Sequence, residues 1–325
     1  MKLPRRQFLH LTAGAAALPI MLRGTSALGY PSQPIRLIVP YAPGGTTDTV
    51  ARLIGPSLSE RVGQPFIIES RPGAGTNVGT EAVVRSPPDG YSLLLFDPSA
   101  AINATLYDKL SFNFIRDIAP IVCIFRTPLV IVVNPLVPAK TVSEFIAYTK
   151  ANPGKINMAS AGNGSTSQLA GELFKKMAGI EMTHIPYRGG GPAIVNLLGG
   201  QVDVFFSPVA IAVAHIQAGK LRALAVTSTT RSAALPEIPT VGEFVSGYET
   251  SYWIGLGAPK STPVDIVDRL NRELNVALAE PKIQARFADL GGTTSAGSSA
   301  DFGKLISDET EKWGKVIRAA SIKVE

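Results

Sequence analysis

Two stretches of the chain carry residue types whose order and spacing suit the capture of a small anion. Ile35-Arg36-Leu37-Ile38-Val39-Pro40-Tyr41-Ala42-Pro43-Gly44-Gly45-Thr46-Thr47-Asp48 reads as a short apolar strand, a glycine turn and a helix that begins with Thr and Asp. Gly44 and Gly45 permit φ > 0 and leave no side chain between the main chain and a ligand. The first N–H groups of the helix have no partners inside it, and the macrodipole makes that end partly positive. A carboxylate or phosphate could sit there without any Arg or Lys. Taken alone, the stretch is equally an ordinary strand-to-helix turn with a Thr/Asp cap. Lys155-Ile156-Asn157-Met158-Ala159-Ser160-Ala161-Gly162-Asn163-Gly164-Ser165-Thr166-Ser167-Gln168 repeats the plan. Ser165 and Gln168 are spaced for a capping box, and Leu169, Leu173 and Met177 then recur at helical spacing. Two such loops predict two lobes that close on one small anion.

Further candidates lie at other strand ends. Tyr91 to Phe96 reads as a strand that runs into Asp97-Pro98-Ser99-Ala100-Ala101-Ile102-Asn103. Ligands of open α/β sheets bind beyond the carboxyl ends of strands, so this loop is a third candidate wall. Tyr187 and Arg188 end another strand beside Gly189-Gly190-Gly191; they either face the cleft or sit at its rim. Gly73-Ala74-Gly75-Thr76-Asn77-Val78-Gly79 resembles a dinucleotide fingerprint. It follows the second strand of its domain and no ribose-binding acid is evident, so tight loop packing is the preferred reading. The chain has three His, and His10 falls in the leader described next. A Ser nucleophile would need His184 or His215. No G-x-S-x-G elbow is present, since Met158-Ala159-Ser160-Ala161-Gly162 lacks the leading Gly. Two separated His and one Cys make no metal spacing, and neither metal nor cofactor is expected.

These loops must be carried by a scaffold, and the 325-residue chain supplies one after an export leader. Arg5-Arg6-Gln7-Phe8-Leu9 precedes a moderately apolar run to Leu22 and small residues to Ala27 and Gly29, the pattern of a twin-arginine signal peptide over residues 1–29. The run is too short, and too broken by Pro19, for a membrane span. The leader holds four cations and no acid, so its removal takes the formal charge from +6 to +2, and the basic balance argues little for nucleic acid. Cys123, the one cysteine, lies in an apolar run and reads as a buried thiol. Strands alternating with helices imply a mostly parallel sheet covered on both faces. Pro56 is expected to kink the helix after the first loop. Ile118 to Asn134, interrupted at Arg126-Thr127-Pro128, is the expected first passage between lobes, and Thr227 to Ser232 the return. The expected division is lobe 1 over 30–127 and 232–325, with lobe 2 over 128–231 and two crossing strands as the hinge.

Several short motifs together resemble a known family. They are Tyr30-Pro31 before Pro34-Ile35-Arg36-Leu37-Ile38-Val39-Pro40, Ala42-Pro43-Gly44-Gly45 with Asp48, Arg71-Pro72-Gly73-Ala74-Gly75, Pro88-Asp89-Gly90-Tyr91, Leu106-Tyr107-Asp108-Lys109-Leu110, Ala218-Gly219-Lys220-Leu221-Arg222-Ala223-Leu224-Ala225 and Lys312-Trp313-Gly314-Lys315-Val316. The set resembles the Bug family, the periplasmic solute receptors of tripartite tricarboxylate transporters. The resemblance implies a type II periplasmic-binding-protein fold of two α/β lobes and a hinge. It also implies a small carboxylate held largely by main-chain N–H groups and waters, and inner-membrane transporter subunits as partners of a monomeric receptor. By position, the implied contacts are Tyr41, Ala42, Gly44, Gly45 and Asp48 in the first loop and Ser160, Gly164, Ser165 and Gln168 in the second, with Asp48 a cap or water holder. Gln168 stands where a His is frequent in the family, Ser207-Pro208 where an Asp is frequent, and Phe96-Asp97 where a small polar pair is common. Asp97, Ser99, Tyr187 and Ser207 complete the candidate site. Asp97 is expected to face the cleft, where it would accept an ammonium or repel a second carboxylate. Two other readings are an exported α/β enzyme with a nucleotide at Gly73–Gly79, and a receptor that senses the same ligand for a signalling partner.

Overall fold

The computed structural model describes residues 29–107, 109–320 and 322, so the expected leader lies, but for Gly29, outside the described residues. The first sheet begins with β1 (Ile35–Val39), whose Ile35, Leu37, Ile38 and Val39 are buried, as expected of a strand inside a parallel sheet. Helix α1 (Thr46–Val62) leads to β2 (Phe66–Ser70), and α2 (Asn77–Val84) to β3 (Ser92–Phe96). Both strands pair with β1 in parallel. Helix α1 runs on through Pro56 without a break in assignment and ends at Gly63, whose φ of 77° supplies the left-handed stop. After α3 (Ser99–Leu106) and the single turn α4 (Phe114–Asp117), the chain enters β4, a strand of 16 residues from Ile118 to Val133.

The second sheet follows. Helix α5 (Val142–Ala151) precedes β5 (Asn157–Ser160), α6 (Thr166–Ala178), β6 (Thr183–Pro186), α7 (Gly190–Leu198), β7 (Val204–Pro208), α8 (Val209–Gln217) and β8 (Arg222–Val226). Strand β5 is parallel to both β6 and β7. The chain then returns to the first sheet as β9 (Ser251–Pro259), followed by α9 (Val264–Leu278), α10 (Pro281–Asp289), the short β10 (Thr293–Thr294) and α11 (Ser299–Ala320).

Strand β4 joins the two sheets. Its residues from Ile118 to Pro128 pair antiparallel with β9, and those from Leu129 to Val133 with β7 and, from Val130, with β8. The interruption expected at Arg126-Thr127-Pro128 is absent, because Pro128 stands where β4 changes partners and a missing N–H costs the ladder least. The return passage is longer than Thr227–Ser232 and runs from Thr227 to Thr250 between β8 and β9. Thr227 ties both passages together. Its N–H donates to Leu129 O at 2.9 Å, its hydroxyl accepts from Leu129 N at 3.0 Å and donates to Thr250 O at 2.9 Å, and Thr250 N donates to Thr227 O at 3.1 Å.

Aromatic packing holds the end of β3 that faces the loops. Phe96 meets Phe114 edge-on at 4.9 Å and Trp253 at 5.8 Å, and stacks on Phe302 at 5.5 Å. Gly255 and Gly257 of β9 make room for this cluster, since a Cβ at Gly255 would collide with the Phe302 ring. The residue after Phe96 is therefore set on a rigid support.

Thr227→Val keeps the shape of the crossing and leaves the buried Leu129 N–H without its hydroxyl acceptor. We expect a loss of about 1–3 kcal/mol in unfolding free energy, read from denaturant titration. An unchanged midpoint would show that the crossing does not depend on this hydroxyl.

Candidate functional site

The carboxyl ends of β1, β3, β5 and β7 and the loops after them surround one narrow cavity, with room for little more than a water molecule at about 20 Å³. Its walls are Tyr41, Gly45, Thr46, Thr47, Asp97, Ala161, Ser165, Thr166, Ser167, Gly190, Pro208, Ile211 and Tyr252. None of these is Lys, Arg or His. Three helices start at this wall: α1 at Thr46, α6 at Thr166 and α7 at Gly190. In α1 the first helical bond is made by Thr49 N to Gly45 O, so the amides of Thr46, Thr47 and Asp48 have no carbonyl partner within the helix. The hydroxyls of Thr46 and Thr166 are buried and have no hydrogen-bond partner. Buried polar groups are normally paired, so this cavity presents unspent hydrogen-bonding capacity from both sheets.

Each glycine loop is shaped by a different device. Gly44 takes φ of +85°, whereas Gly45 is extended at φ −86°, so only the first of the pair uses the conformational freedom of glycine. Gly45 serves close approach: a Cβ there would lie 3.5 Å from Gly190 N and 3.6 Å from Gly191 N. No side chain caps α1. Asp48 instead reaches back to accept from Gly44 N at 3.0 Å and from Arg52 Nε at 2.9 Å, which steadies the turn from behind. In the second loop only half of the expected capping box forms. Ser165 Oγ accepts from Gln168 N at 3.3 Å, but the Gln168 side chain accepts from Gly164 N at 2.7 Å.

Ser160, His184 and Gln168 form the platform under the second loop. The Ser160 Oγ–His184 Nε2 distance is 2.6 Å, the separation of a nucleophile and its base. The hydrogen-bond pattern argues for another role. Gln168 Oε1 is taken by Gly164 N, so its Nε2 is the atom that faces His184 Nδ1 at 3.2 Å and donates to it. His184 Nε2 then carries the ring proton and donates to Ser160, which also accepts from Gly162 N at 3.0 Å and donates to Gly162 O at 3.2 Å. A protonated nitrogen facing the hydroxyl cannot take its proton. Burial, reinforced by the charge of Lys175, pushes the His184 ring down to about 4, so it is neutral at neutral pH.

The third wall is a network on Asp97, which is 3% exposed. Tyr41 Oη and Tyr252 Oη donate to its Oδ2 at 2.8 and 2.9 Å, and Ser99 N donates to Oδ1 at 2.9 Å. Burial raises the Asp97 pKa, and hydrogen bonds from Ser99, Tyr41 and Tyr252 oppose the rise. Burial and then the negative charge of Asp97 raise both phenols well above their ordinary range. The network also links the sheets, because Ser99 Oγ lies 2.9 Å from Tyr41 Oη and accepts from Thr166 N at 3.3 Å.

The candidate residues thus fall into five places. Tyr41, Gly45, Asp97 and Ser165 line the cavity. Gly44, Asp48, Ser99, Ser160, Gly164 and Gln168 lie behind it and shape its loops or walls. Ala42 donates its N–H to Arg188 O at 2.8 Å across the cleft. Ser207 is fully buried and donates to Pro208 O at 3.1 Å. Tyr187 borders a neighbouring, more open space of about 750 Å³ with Arg188, Tyr107 and the Gly73–Thr76 turn. In that turn Gly79 packs on Pro40, where a Cβ would lie 2.8 Å from Pro40 Cβ, so this glycine is used for packing. Thr46, Thr166 and Gly190 stood within the quoted loops but were not singled out. Tyr252 gave no local signal, since only folding brings it beside residues 155 positions away.

The chain matches the profile of the tripartite tricarboxylate transporter family receptor over residues 50–322. The protein BugT of Bordetella pertussis is 38% identical over 319 residues, which cover 97% of this chain and 95% of that one. Among solved structures, the periplasmic binding protein BugD is similar at 34% identity and a TM-score of 0.88, covering 91% of this chain and 100% of its own. An R. palustris protein solved with adipate is similar at 33% identity and a TM-score of 0.88, covering 90% of this chain and 99% of its own.

The folded ring of His184 refuses a proton that the unfolded ring accepts near pH 6.5, so acidification from about 6.5 to 4 favours unfolding. The full effect is about 3 kcal/mol, reduced where water reaches the ring. Unfolding free energy should therefore fall more steeply across this window in the parent protein than in His184→Asn. Parallel curves would mean that His184 is not held neutral by its surroundings.

Proposed function

The chain belongs to the tripartite tricarboxylate transporter receptor family, and from that premise we propose that it is an exported, non-catalytic receptor that closes on a small organic carboxylate. The observation that carries this reading is the meeting of the α1, α6 and α7 N-termini over one cavity with two unpartnered hydroxyls and no basic side chain. A carboxylate there would take its hydrogen bonds from amides that no helix carbonyl satisfies, and the three dipoles would favour its charge. Thr46, Thr47 and Ser167 would be direct partners through their amides, and Thr166, whose N–H donates to Ser99 Oγ, through its unpartnered hydroxyl. Asp48, Ser160, Gly164 and Gln168 would act by holding the two glycine loops, and Ala42 by its bond across the cleft.

Closure is part of the proposal. Residues 30–127 and 232–325 form one lobe and 128–231 the other, with the crossing at Thr127–Leu129 and Thr227–Thr250 as the hinge. A ligand that touches amides from both lobes is bound only when they are closed, and that difference in contact shifts the equilibrium. The arrangement of Ala42 N on Arg188 O at 2.8 Å supports a closed geometry. The twin-arginine leader places the receptor outside the inner membrane, where it works as a monomer and passes its ligand to membrane subunits of a tripartite tricarboxylate transporter. No helix among the described residues is long and apolar enough to cross a membrane.

Gly45→Val tests the seat. The extended backbone at Gly45 accepts a side chain and its Cβ meets nothing closer than 3.5 Å, so the fold should persist. The valine would cover the amides of Gly190 and Gly191. In a thermal-shift panel of mono-, di- and tricarboxylates, aromatic acids, amino acids, NAD(P) and flavins, a carboxylate should stabilise the parent protein and have no effect on the variant. A ligand near a hundred times its Kd adds about 2.7 kcal/mol. Stabilisation by a nucleotide alone, or an undiminished response in Gly45→Val, would count against this site.

A further inference from the structure

The carboxylate of Asp97 can only accept, and that sets the direction of the protons around it. Tyr41 and Tyr252 each have one hydroxyl proton, and both point to Asp97 Oδ2, at 2.8 and 2.9 Å. In the 2.9 Å contact between Tyr41 Oη and Ser99 Oγ the serine must then be the donor. In the 3.3 Å contact between Tyr252 Oη and Thr47 Oγ1 the threonine must be the donor. Ser99 N completes the set on Oδ1. Both phenols hold their protons more tightly than usual, because of burial first and the charge of Asp97 second. The two phenol protons and the Ser99 amide are thus spent on one carboxylate, and the Ser99 and Thr47 hydroxyls on the phenol oxygens. What Asp97, Tyr41 and Tyr252 have left to offer the cavity is lone pairs.

The neighbouring wall has the opposite character, with amide donors of α1 and α6. The two walls adjoin, since Thr47 lies in the first turn of α1 and also touches Tyr252, and Thr166 N touches the Ser99 hydroxyl. No cation lines the cavity to neutralise Asp97. A second carboxylate on the acceptor wall would meet a like charge in a site that water barely reaches, whereas an N–H or O–H would find acceptors already oriented.

We propose that Asp97, acting with Tyr41 and Tyr252, is a specificity-determining residue that selects carboxylates carrying a hydrogen-bond donor, an ammonium above all, close to the carboxylate. The ligand class is then small amino acids and, more weakly, hydroxy acids, in preference to plain mono- or dicarboxylates. This rests on the carboxylate-receptor reading of the same cavity, and it adds what that reading leaves open.

The test is calorimetric titration of the purified protein, after exhaustive dialysis, with two matched series. One is propanoate, lactate, alanine and malonate; the other is succinate, malate and aspartate. Within a series the members differ in the group next to one carboxylate. The ammonium member should bind roughly tenfold to a hundredfold more tightly than the donor-free acid, with the hydroxy acid between. Asp97→Asn, which removes the negative charge and leaves one acceptor oxygen for the two phenols, should erase that order and relieve the penalty on malonate and succinate. Equal binding of donor-free and amino members by the parent protein would overturn the inference while leaving the receptor reading intact. An unchanged order in a folded Asp97→Asn would also overturn it. Should that variant not fold, the order in the parent protein decides alone. If no member of either series and no other carboxylate binds, the receptor reading fails and the inference falls with it.

Discussion

An anion held by main-chain amides needs those amides to come from two bodies that approach to within one ligand of each other, and side chains would stand in the way. The structure meets that constraint with glycine on both sides. Gly44 and Gly45 of the first loop face Gly190 and Gly191 at the start of α7, and a Cβ on Gly191 would lie 2.5 Å from Pro43 O. Backbone reaches backbone there, and Ala42 N bonds directly to Arg188 O. Helix dipoles are weak sources of charge that fade within a turn, so an anion seat built from them would depend on this closeness.

The rest of the fold can be read as what makes the approach reproducible. Strand β4 belongs to both sheets, and Thr227 fixes the place where it changes partners. The aromatic cluster around Phe96 sets the end of β3, and with it Asp97. The Ser160–His184–Gln168 platform holds the second glycine loop from below with a neutral ring, which adds shape without adding charge. The charges near the loops are spent elsewhere, as in the pair of Arg52 with Asp48. A cavity without cations is consistent with this economy, and it leaves Asp97 as the one ionisable carboxyl on its wall.

Much of this was legible along the chain because its signals are local. Strand, glycine turn and helix start occur within about a dozen residues in each loop, so both loops could be placed without a partner in view. The position of Asp97 after a buried strand was equally local. What could not be read is what depends on pairing at long range. Pro128 looked like a break, yet it falls at a change of strand partners that only the two sheets define. Tyr252 reads as an ordinary strand residue, and its bond to Asp97 joins segments 155 positions apart. Gln168 at capping-box spacing was a sound local expectation, but the neighbouring Gly164 amide and His184 ring compete for its side chain and win. Of the two reasons the sequence offers for Gly45, positive φ does not apply and the absence of a side chain does, though the loop it must clear is visible only in the fold.

If amides at the starts of α1, α6 and α7 hold the ligand carboxylate, those amides themselves will report it. Backbone amide NMR resonances of the labelled protein should be followed while a carboxylate that stabilises it is titrated in. The amides of Thr46, Thr47, Ser167 and Gly190 should show the largest downfield proton shifts and saturate together, with Thr166, whose N–H already donates to Ser99 Oγ, moving less. Shifts confined to residues of a separate space lined by Arg126, Thr230 and Thr250, with the helix starts unmoved, would show that the ligand sits elsewhere.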